Sequence, residues 1–305
     1  MNAMTSVAVL GPGGVGGFLA AALHRAGEDV VVVARESTAE RICARGIELS
    51  SAVLGDFTAT PSATAALRSP ADVLLVASKA TALGPALRRI DVEPGLVVPM
   101  LNGLDHMSRL RERFGAARVA AGTIRIESDR REPGVVVQSS PSVRVELASD
   151  QPELRSALES LAKVLSAAGV PALVGASEAQ ILWSKLVRLT ALACTTSASG
   201  RPIGFIRTDP RWREAMLGCI REATAVANAD GAVLDPSEPL RELETAHAEL
   251  GSSMQRDIAA GREPELDAIA GSVLRAGRRH GIECPTIRRL ADEIAARTGI
   301  APPAV

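Results

Sequence analysis

The chain has 305 residues, of which 47% are hydrophobic, and it carries a formal net charge of −1. That length predicts two domains with sizeable cores, and the interspersed charges lack the basic stripe typical of nucleic-acid binding. Aromatic residues make up 2% of the chain and tyrosine is absent, which argues against tyrosine-based dehydrogenase chemistry. The four cysteines include no C-x-x-C pair, and no signal peptide or membrane span is predicted, so we expect reduced thiols, no metal site and a cytoplasmic protein.

The N-terminal segment predicts a strand, a glycine-rich turn and a helix. An apolar run over residues 7–10 is followed by the glycines and then by a second apolar run over residues 18–23. Gly11, Gly13 and Gly16 match the fingerprint G-x-G-x-x-G, whose glycines permit a tight turn, close approach of a pyrophosphate, and packing of the helix on the strand. We therefore predict a dinucleotide site with its phosphates at the helix N-terminus. Its loop residues are Gly11, Pro12, Gly13, Gly14, Val15 and Gly16.

The next predicted strand, residues 29–34, is followed by Arg35. Sites for NAD usually place an aspartate or glutamate here, where it binds the ribose 2′-hydroxyl. A guanidinium instead matches a phosphate, as a bidentate donor. Arg35 therefore favours NADP(H) over NAD(H), and the alternative is an ordinary surface arginine.

The rest of the first half alternates predicted strands and helices. The further strands are expected over residues 72–78, 96–101, 118–123, 134–138, 143–147 and 170–174. Of these, 134–138 and 143–147 nearly alternate in polarity and predict a hairpin at a sheet edge. A helix is expected over residues 150–169 with Asp150 as its N-cap.

From Ser177 onward the predicted strands stop. Helices are expected over residues 177–196, 210–229, 239–250, 265–280 and 285–297. Ser177 and Asp209 are the expected N-caps of the first two, and Gly231 follows the end of the second. The fold class is therefore predicted as α/β: an N-terminal Rossmann-like doubly wound domain over residues 1–174 and a C-terminal all-helical domain over residues 175–305.

Several motifs are more specific than the glycine loop. They are Trp183-Ser184-Lys185-Leu186, the stretch from Ser252-Ser253-Met254 to Glu265-Leu266-Asp267, the later Gly271, Gly281 and Pro285, and the upstream Lys79 and Asn102-Gly103. With these motifs the whole chain resembles the ketopantoate reductase (2-dehydropantoate 2-reductase) family. The resemblance implies an NADPH-dependent reductase that transfers hydride to the carbonyl of a 2-oxo acid such as 2-dehydropantoate, a role in pantothenate biosynthesis, and a possible homodimer.

The resemblance also implies residue roles, each with a plainer alternative. Lys185 would donate the proton to the carbonyl oxygen and contact substrate, or it is a lysine extending to the surface. Asn102 would touch cofactor and substrate, or it forms an Asn-Gly turn. Glu265 would contact the cofactor near its nicotinamide ribose, or it is a first-turn glutamate favoured by the helix dipole. Ser253 would bind the substrate carboxylate, or it caps a helix, and Lys79 would add charge near the 2′-phosphate, or it is solvated.

The chain departs from the family at the residues that follow the lysine. The family usually carries asparagines four and eight residues after it, and a third further on, where this chain has Leu189, Ala193 and the region of Ile203. An apolar wall there predicts a substrate less hydroxylated than ketopantoate. Arg125 and Arg188 are extra cations that could bind a carboxylate, although surface arginines are the simpler interpretation. An imine or another carbonyl remains an alternative substrate, and a non-catalytic NADP(H)-binding paralogue an alternative function.

Overall fold

A computed structural model describes residues 6–304. By their internal contacts the described residues divide into two compact units. The first comprises the chain up to Leu101 together with His106–Ile181, and the second comprises Asn102–Asp105 and the chain from Leu182 onward. The predicted α/β class, with a parallel sheet in the N-terminal half and helices in the C-terminal half, is confirmed. The domain boundary between residues 174 and 175 stays a prediction.

The first unit contains all the described strands. In chain order these are β1 (Ser6–Leu10), β2 (Asp29–Val33), β3 (Ile47–Ser51), β4 (Phe57–Ala59), β5 (Ser62–Thr64), β6 (Val73–Val76), β7 (Leu96–Pro99), β8 (Ala121–Arg125), β9 (Ser128–Glu132), β10 (Val135–Gln138), β11 (Arg144–Ala148) and β12 (Ala172–Val174). Its helices are α1 (Gly14–Arg25), α2 (Glu36–Arg45), α3 (Leu83–Leu87), α4 (His106–Phe114) and α5 (Arg155–Ala167).

Five strands form a parallel sheet in the order β5-β2-β1-β6-β7. The four residues of β6 and the four of β7 are all buried, as expected for a sheet covered on both faces. The chain moves outward from β1 to β2 on one side and then continues with β6 on the other. The carboxyl ends of β1 and β6 therefore lie at a topological switch point, which is where open α/β sheets bind ligands.

The predicted hairpin between residues 134–138 and 143–147 is wrong. Strand β10 pairs with β3 and β9 in a four-stranded sheet of order β4-β3-β10-β9. Strand β11 pairs instead with β8 and β12 in a separate three-stranded sheet. Alternating polarity reports that one face of a strand is buried, and it does not specify which strand lies beside it.

Helix α1 packs between two of these sheets. It contacts β1 and β2 of the parallel sheet as well as β3, β4, β9 and β10 of the four-stranded sheet. Close packing explains its glycines: an added Cβ would overlap the backbone of Ser128 at Gly14 and a methyl group of Val136 at Gly17. Its residues from Gly16 to Leu23 are all buried, so the helix is apolar on every side.

The second unit is helical. It contains most of α6 (Glu178–Ser199), followed by α7 (Ile203–Thr208), α8 (Pro210–Ala229), α9 (Ser237–Thr245), α10 (Ser253–Ala259), a π-helical turn (Asp267–Gly271), α11 (Ser272–Arg279) and α12 (Pro285–Thr298). Helix α8 lies at its centre and contacts α7, α9, α11 and α12. No helix of the described residues is long and apolar enough to cross a membrane.

Two of the predicted helix caps are confirmed and one is wrong. Asp209 accepts a hydrogen bond from the backbone N–H of Trp212 at 3.0 Å, and Ser177 accepts one from Gln180 at 3.1 Å. Asp150 does not cap the helix that follows it in sequence. Its carboxylate accepts the N–H of Glu178 at 3.2 Å and so caps α6 instead. Asp150 therefore accepts from the unpaired N–H group at the start of a helix that is distant in sequence, and not from the helix that follows it.

Candidate functional site

The three glycines of the fingerprint have different structural reasons. Gly11 has φ +91°, and an added Cβ would lie 2.9 Å from the backbone of Ser78, which follows β6. At Gly16 a Cβ would overlap the carbonyl oxygen of Gly11. Gly13 has an ordinary φ of −75°, and a Cβ there would meet nothing within 4 Å. Conformation and packing therefore require glycine at Gly11 and Gly16, whereas nothing among residues 6–304 requires it at Gly13.

The start of α1 presents unpaired backbone donors. Gly13 is the N-cap residue and provides no side-chain cap, so the first N–H groups of the helix have no intrahelical or capping acceptor. The hydroxyl of Ser128 donates to the carbonyl oxygen of Gly14 at 2.8 Å, which fixes this first turn against β9. Pro12 is buried and Val15 is half-buried beside it. Unpaired N–H groups at a helix N-terminus are an arrangement that binds phosphates in other proteins, so this helix start is a candidate anion site.

Arg35 and Lys79 follow the carboxyl ends of two strands of the parallel sheet. Arg35 comes directly after Ala34 at the end of β2 and is the N-cap residue of α2. Its side chain is exposed, and none of the described residues supplies it with a hydrogen bond or an ion pair. Lys79 lies beyond β6, and its side chain is also exposed. Both predicted phosphate contacts are thus accessible in the first unit.

Lys185 lies on α6, whose rotation is fixed by Trp183. The side chain of Trp183 is 1% exposed, and its indole N–H donates to Asp230 Oδ2 at 2.9 Å. Asp230 Oδ1 lies 2.7 Å from His280 Nε2, so this carboxylate ties α6 to the C-terminal ends of α8 and α11. Residues two apart on a helix point to nearly opposite sides. The burial of Trp183 therefore directs the half-buried Lys185 to the other side of α6.

Asn102 and Glu265 are in direct contact although 163 residues separate them. The amide Nδ2 of Asn102 donates to Glu265 Oε2 at 3.1 Å. Glu265 is only 8% exposed and immediately precedes the helical turn that begins at Leu266. The structure therefore brings together two residues that the sequence proposed separately. Because Glu265 also lies at the start of a helix, its role toward the cofactor and its interaction with the helix dipole both stay predictions.

The segment after Asn102 is held by four residues, here named the Arg275 cluster: Asp105, Asp267, Ser272 and Arg275. Of these, the sequence had indicated only Asp267, as part of the motif Glu265-Leu266-Asp267. Arg275 Nη2 donates to Asp105 Oδ2 at 2.6 Å, and Arg275 Nη1 donates to Asp267 Oδ1 at 2.7 Å. The hydroxyl of Ser272 donates to the same Asp105 oxygen at 2.8 Å. Asp105 is 167 residues from Ser272 and 170 residues from Arg275, so no local pattern could have indicated these two contacts.

The charges of this cluster change the titration of its central carboxylate. Burial alone would raise the pKa of Asp105. Hydrogen bonds from Arg275 and Ser272, with the positive charges of Arg275 and Arg279, nevertheless hold that pKa below its usual value of 3.8. Asp105 is therefore ionised throughout the neutral range and keeps Arg275 in place.

Ser253 does not act as a helix cap. The N-cap of α10 is its neighbour Ser252, whose hydroxyl accepts the N–H of Gln255 at 3.0 Å. Ser252 is buried and also hydrogen-bonds Thr196 of α6 at 3.0 Å. Ser253 is exposed at the first position of the helix. The hydroxyl of Ser253 therefore does not have the capping role that was the alternative to binding the substrate carboxylate.

The positions that lack the family's asparagines differ in burial. Leu189 is half-buried, one turn beyond Lys185 on α6. Ala193 and Ile203 are both 0% exposed and belong to the core of the second unit. Arg188 Nε forms an ion pair with Glu242 of α9 at 2.9 Å, so its charge already has a partner. Of the three departures, Leu189 is therefore the one whose side chain is accessible.

Two other classes of site have no support among residues 6–304. No group of three or more histidine, cysteine, aspartate or glutamate residues is arranged to hold a metal ion. All four cysteines are free thiols, with Cys43 exposed and the others buried. Burial raises the pKa of Cys194 to about 12, with the charge of Glu222 adding to the shift, so this thiol is not a nucleophile at neutral pH.

Comparisons with known proteins cover nearly the whole chain. Residues 7–150 match the family described as ketopantoate reductase PanE/ApbA, and residues 179–298 match ketopantoate reductase PanE/ApbA C terminal. The 2-dehydropantoate 2-reductase of Mycobacterium tuberculosis is 31% identical over 92% of this chain and 94% of its own length.

Solved structures agree with the sequence matches. The 2-dehydropantoate 2-reductase from Geobacter metallireducens superposes with a TM-score of 0.88 at 29% identity, covering 95% of this chain and 99% of that one. The ternary structure of D-mandelate dehydrogenase with NADH and anilino(oxo)acetate has the same fold, with a TM-score of 0.88 at 19% identity, covering 97% and 99% of the two chains. The resemblance seen in the sequence is thus confirmed, and the chain belongs to the ketopantoate reductase family of oxidoreductases.

Proposed function

We propose that this protein is an NADP(H)-dependent reductase that transfers hydride to the carbonyl carbon of a small 2-oxo acid, with Lys185 as the proton donor. The observation that carries the cofactor assignment is Gly13. This residue has neither a positive φ nor a close neighbour that would exclude a side chain. A requirement for glycine at this position would come from a ligand outside the chain, and the backbone donors beside it suit a pyrophosphate.

The substitution Gly13→Ala tests this assignment. We expect the free energy of unfolding to change by less than about 1 kcal/mol, because a Cβ meets nothing and the residue is an N-cap without a side-chain hydrogen bond. Affinity for the dinucleotide should fall at least about tenfold, a loss of roughly 1.4 kcal/mol.

Gly84→Ala is the matched control. Gly84 also lacks a positive φ and has open space around its Cβ position, and it lies in α3 rather than in the glycine loop. Calorimetric titration with NADPH should give native affinity for this variant. Native affinity in Gly13→Ala as well would contradict the assignment.

The preference for NADP(H) is proposed from Arg35. Its exposed guanidinium follows β2 and has no partner among the described residues, which leaves its donors available to a 2′-phosphate. We expect NADPH to bind about 1–3 kcal/mol more tightly than NADH, or roughly one to two powers of ten. Arg35→Ala should remove most of that difference, and Arg68→Ala, at another exposed arginine, should not. Equal binding of NADPH and NADH by the unmodified protein would refute the proposal.

The proposed chemistry gives each candidate residue one role. The bound dinucleotide supplies the hydride, and the loop at Gly11–Gly16 holds its phosphates. Lys185 donates a proton to the carbonyl oxygen, which removes the negative charge that develops there. Asn102, held by Glu265, orients the cofactor and the carbonyl group, and the exposed hydroxyl of Ser253 binds the substrate carboxylate.

Lys185→Ala tests the proton donor. Loss of a positioned general acid should lower kcat by roughly two to four powers of ten and leave NADPH affinity nearly unchanged. Lys163→Ala is the control, because Lys163 is an exposed lysine of α5. Near-native turnover of Lys185→Ala would mean that water or another group protonates the product.

The proposed substrate is a 2-oxo acid with a more apolar side chain than 2-dehydropantoate. Leu189 lies one turn beyond Lys185 and would border the substrate, where it gives a substrate hydroxyl no hydrogen-bonding partner. NADPH oxidation across a panel of 2-oxo acids tests this, with 2-dehydropantoate as the reference and imines included. A kcat/KM for 2-dehydropantoate of about 10⁴ per molar per second or more would contradict it. Leu189→Asn should shift relative activity toward 2-dehydropantoate, whereas Ala193→Asn would disturb the core.

A further inference from the structure

We infer that Asp105 and Arg275 are positioning residues that fix Asn102 against Glu265. The inference rests on the proposed function, in which Asn102 and Glu265 contact the cofactor. Neither Asp105 nor Arg275 is itself assigned a contact with cofactor or substrate.

Five hydrogen bonds meet at Arg275. Its guanidinium donates to the Asp105 carboxylate, to both carboxylate oxygens and the backbone carbonyl of Asp267, and to the backbone carbonyl of Ala304. Arg275 therefore joins the segment after Asn102 to the π-helical turn after Glu265 and to the C-terminal segment. A planar fork used in this way fixes orientation as well as distance.

Ser272 forms a second link between Asp105 and the backbone that follows Asn102. Its hydroxyl donates to Asp105 Oδ2 at 2.8 Å and accepts the backbone N–H of Leu104 at 3.2 Å. Asp105 thus holds Ser272 in the rotamer that receives the Leu104 amide. Through these bonds the backbone two and three residues beyond Asn102 is tied to the first turn of α11.

The helix that follows Glu265 is irregular. The Asp267–Gly271 turn is π-helical, and such turns are rare and occur frequently at functional sites. Glu265 lies immediately before its helix, and the backbone of Gly103 passes directly over the carbonyl of Ala268. The π turn and the Gly103 backbone therefore meet where Asn102 reaches Glu265.

The ion pair between Asp105 and Arg275 is partly exposed to solvent. The side chains of Arg275 and Asp105 remain 26% and 42% exposed. Pairs with this much solvent access add little to global stability. Their removal should therefore affect the geometry of Asn102 more than the folding of the chain.

The test combines Asp105→Ala with Asn102→Ala. If Asp105 acts through Asn102, Asp105→Ala alone should lower kcat/KM by about 10- to 100-fold, as expected for a displaced catalytic contact. In the Asn102→Ala background the same change should have almost no further effect, because coupled residues are non-additive. Arg275→Lys, which keeps the charge and loses the fork, should resemble Asp105→Ala. Arg213→Gln, which breaks the similarly exposed pair with Glu244, is the control and should leave kcat/KM unchanged.

A readout that needs no substrate keeps this inference separate from the proposed function. Amide hydrogen exchange at Gly103 and Leu104 should accelerate in Asp105→Ala and in Arg275→Lys, and it should remain native in Arg213→Gln. A protein that exchanges in this way but reduces no carbonyl of the panel would refute the proposed function and retain the positioning of Asn102. Native exchange in Asp105→Ala, or a full additional loss of activity in the double variant, would overturn the inference.

Discussion

The substitution Gly103→Ala should damage both the stability and the activity of this protein, for two separable reasons. Gly103 has φ +85°, so any L-residue there adopts a left-handed conformation at a cost of about 1–2 kcal/mol. An added Cβ would also overlap the carbonyl oxygen of Ala268 and lie 3.0 Å from Ser272 Oγ. Overpacking of this kind costs a further 1–3 kcal/mol, roughly. We therefore expect the free energy of unfolding to fall by about 2–5 kcal/mol in total.

The same overlap should move the neighbouring Asn102. Relief of the clash requires the backbone to shift by about 1 Å, and a displacement of that size can lower kcat/KM about 100-fold. Gly281→Ala separates the two effects. Gly281 has φ +67° with nothing within 4 Å of a Cβ, so it shares the conformational cost and lacks the clash.

The assay is urea unfolding of both variants, with kcat/KM measured on the best substrate of the panel. Gly281→Ala should lose about 1–2 kcal/mol and retain its activity. Equal losses of stability in Gly103→Ala and Gly281→Ala, with activity kept in both, would show that the close approach of Gly103 to Ala268 affects neither the stability nor the activity of the protein.

Two further predictions concern the helical unit. The carboxylate of Glu222 accepts hydrogen bonds from the backbone N–H groups of Thr286 at 2.8 Å and Ile287 at 2.9 Å, and so caps the start of α12. Glu222→Ala should therefore lower the free energy of unfolding, measured by urea titration, by about 1–3 kcal/mol, and Glu222→Gln should have an intermediate effect. A native urea midpoint in Glu222→Ala would show that water replaces these two hydrogen bonds. Burial alone would raise the pKa of Asp230, but hydrogen bonds from His280 and Trp183 and the charges of Arg279 and His280 lower it below 3.8. Its stabilisation is therefore present above that value and lost as the pH falls below it. As the pH falls below 3.8 the unmodified protein should lose more stability than Asp230→Asn, and parallel pH curves would contradict the assignment.

Local signals predicted the parts of the fold that depend on neighbouring residues. The strand, glycine turn and helix at the N-terminus follow from the residues that form them. Helix α8 begins at Pro210 after the Asp209 cap and ends before Gly231, as the sequence indicates. Each of these signals acts within a single turn of the chain.

What the sequence could not supply is the choice of distant partners. Asp150 has the pattern of a cap for the next helix, yet it binds Glu178. Asp105 and Arg275 are ordinary charged residues until the fold brings them to 2.6 Å. The sequence also could not predict that Ala193 is fully buried. Solvent is excluded from Ala193 by the side chains packed against α6, and the sequence of α6 does not show which side chains those are.

The position of α1 between two sheets has a consequence for the opening motions of the first unit. Neither the parallel sheet nor the four-stranded sheet can separate from α1 without exposing part of its buried apolar segment, residues 16–23. Local openings draw on regions with few buried contacts, and α1 has no such side. The hydrogen-bonded amide protons of Gly17 to Leu23 should therefore exchange only when the whole unit unfolds, and their exchange rates would report the global stability of that unit directly.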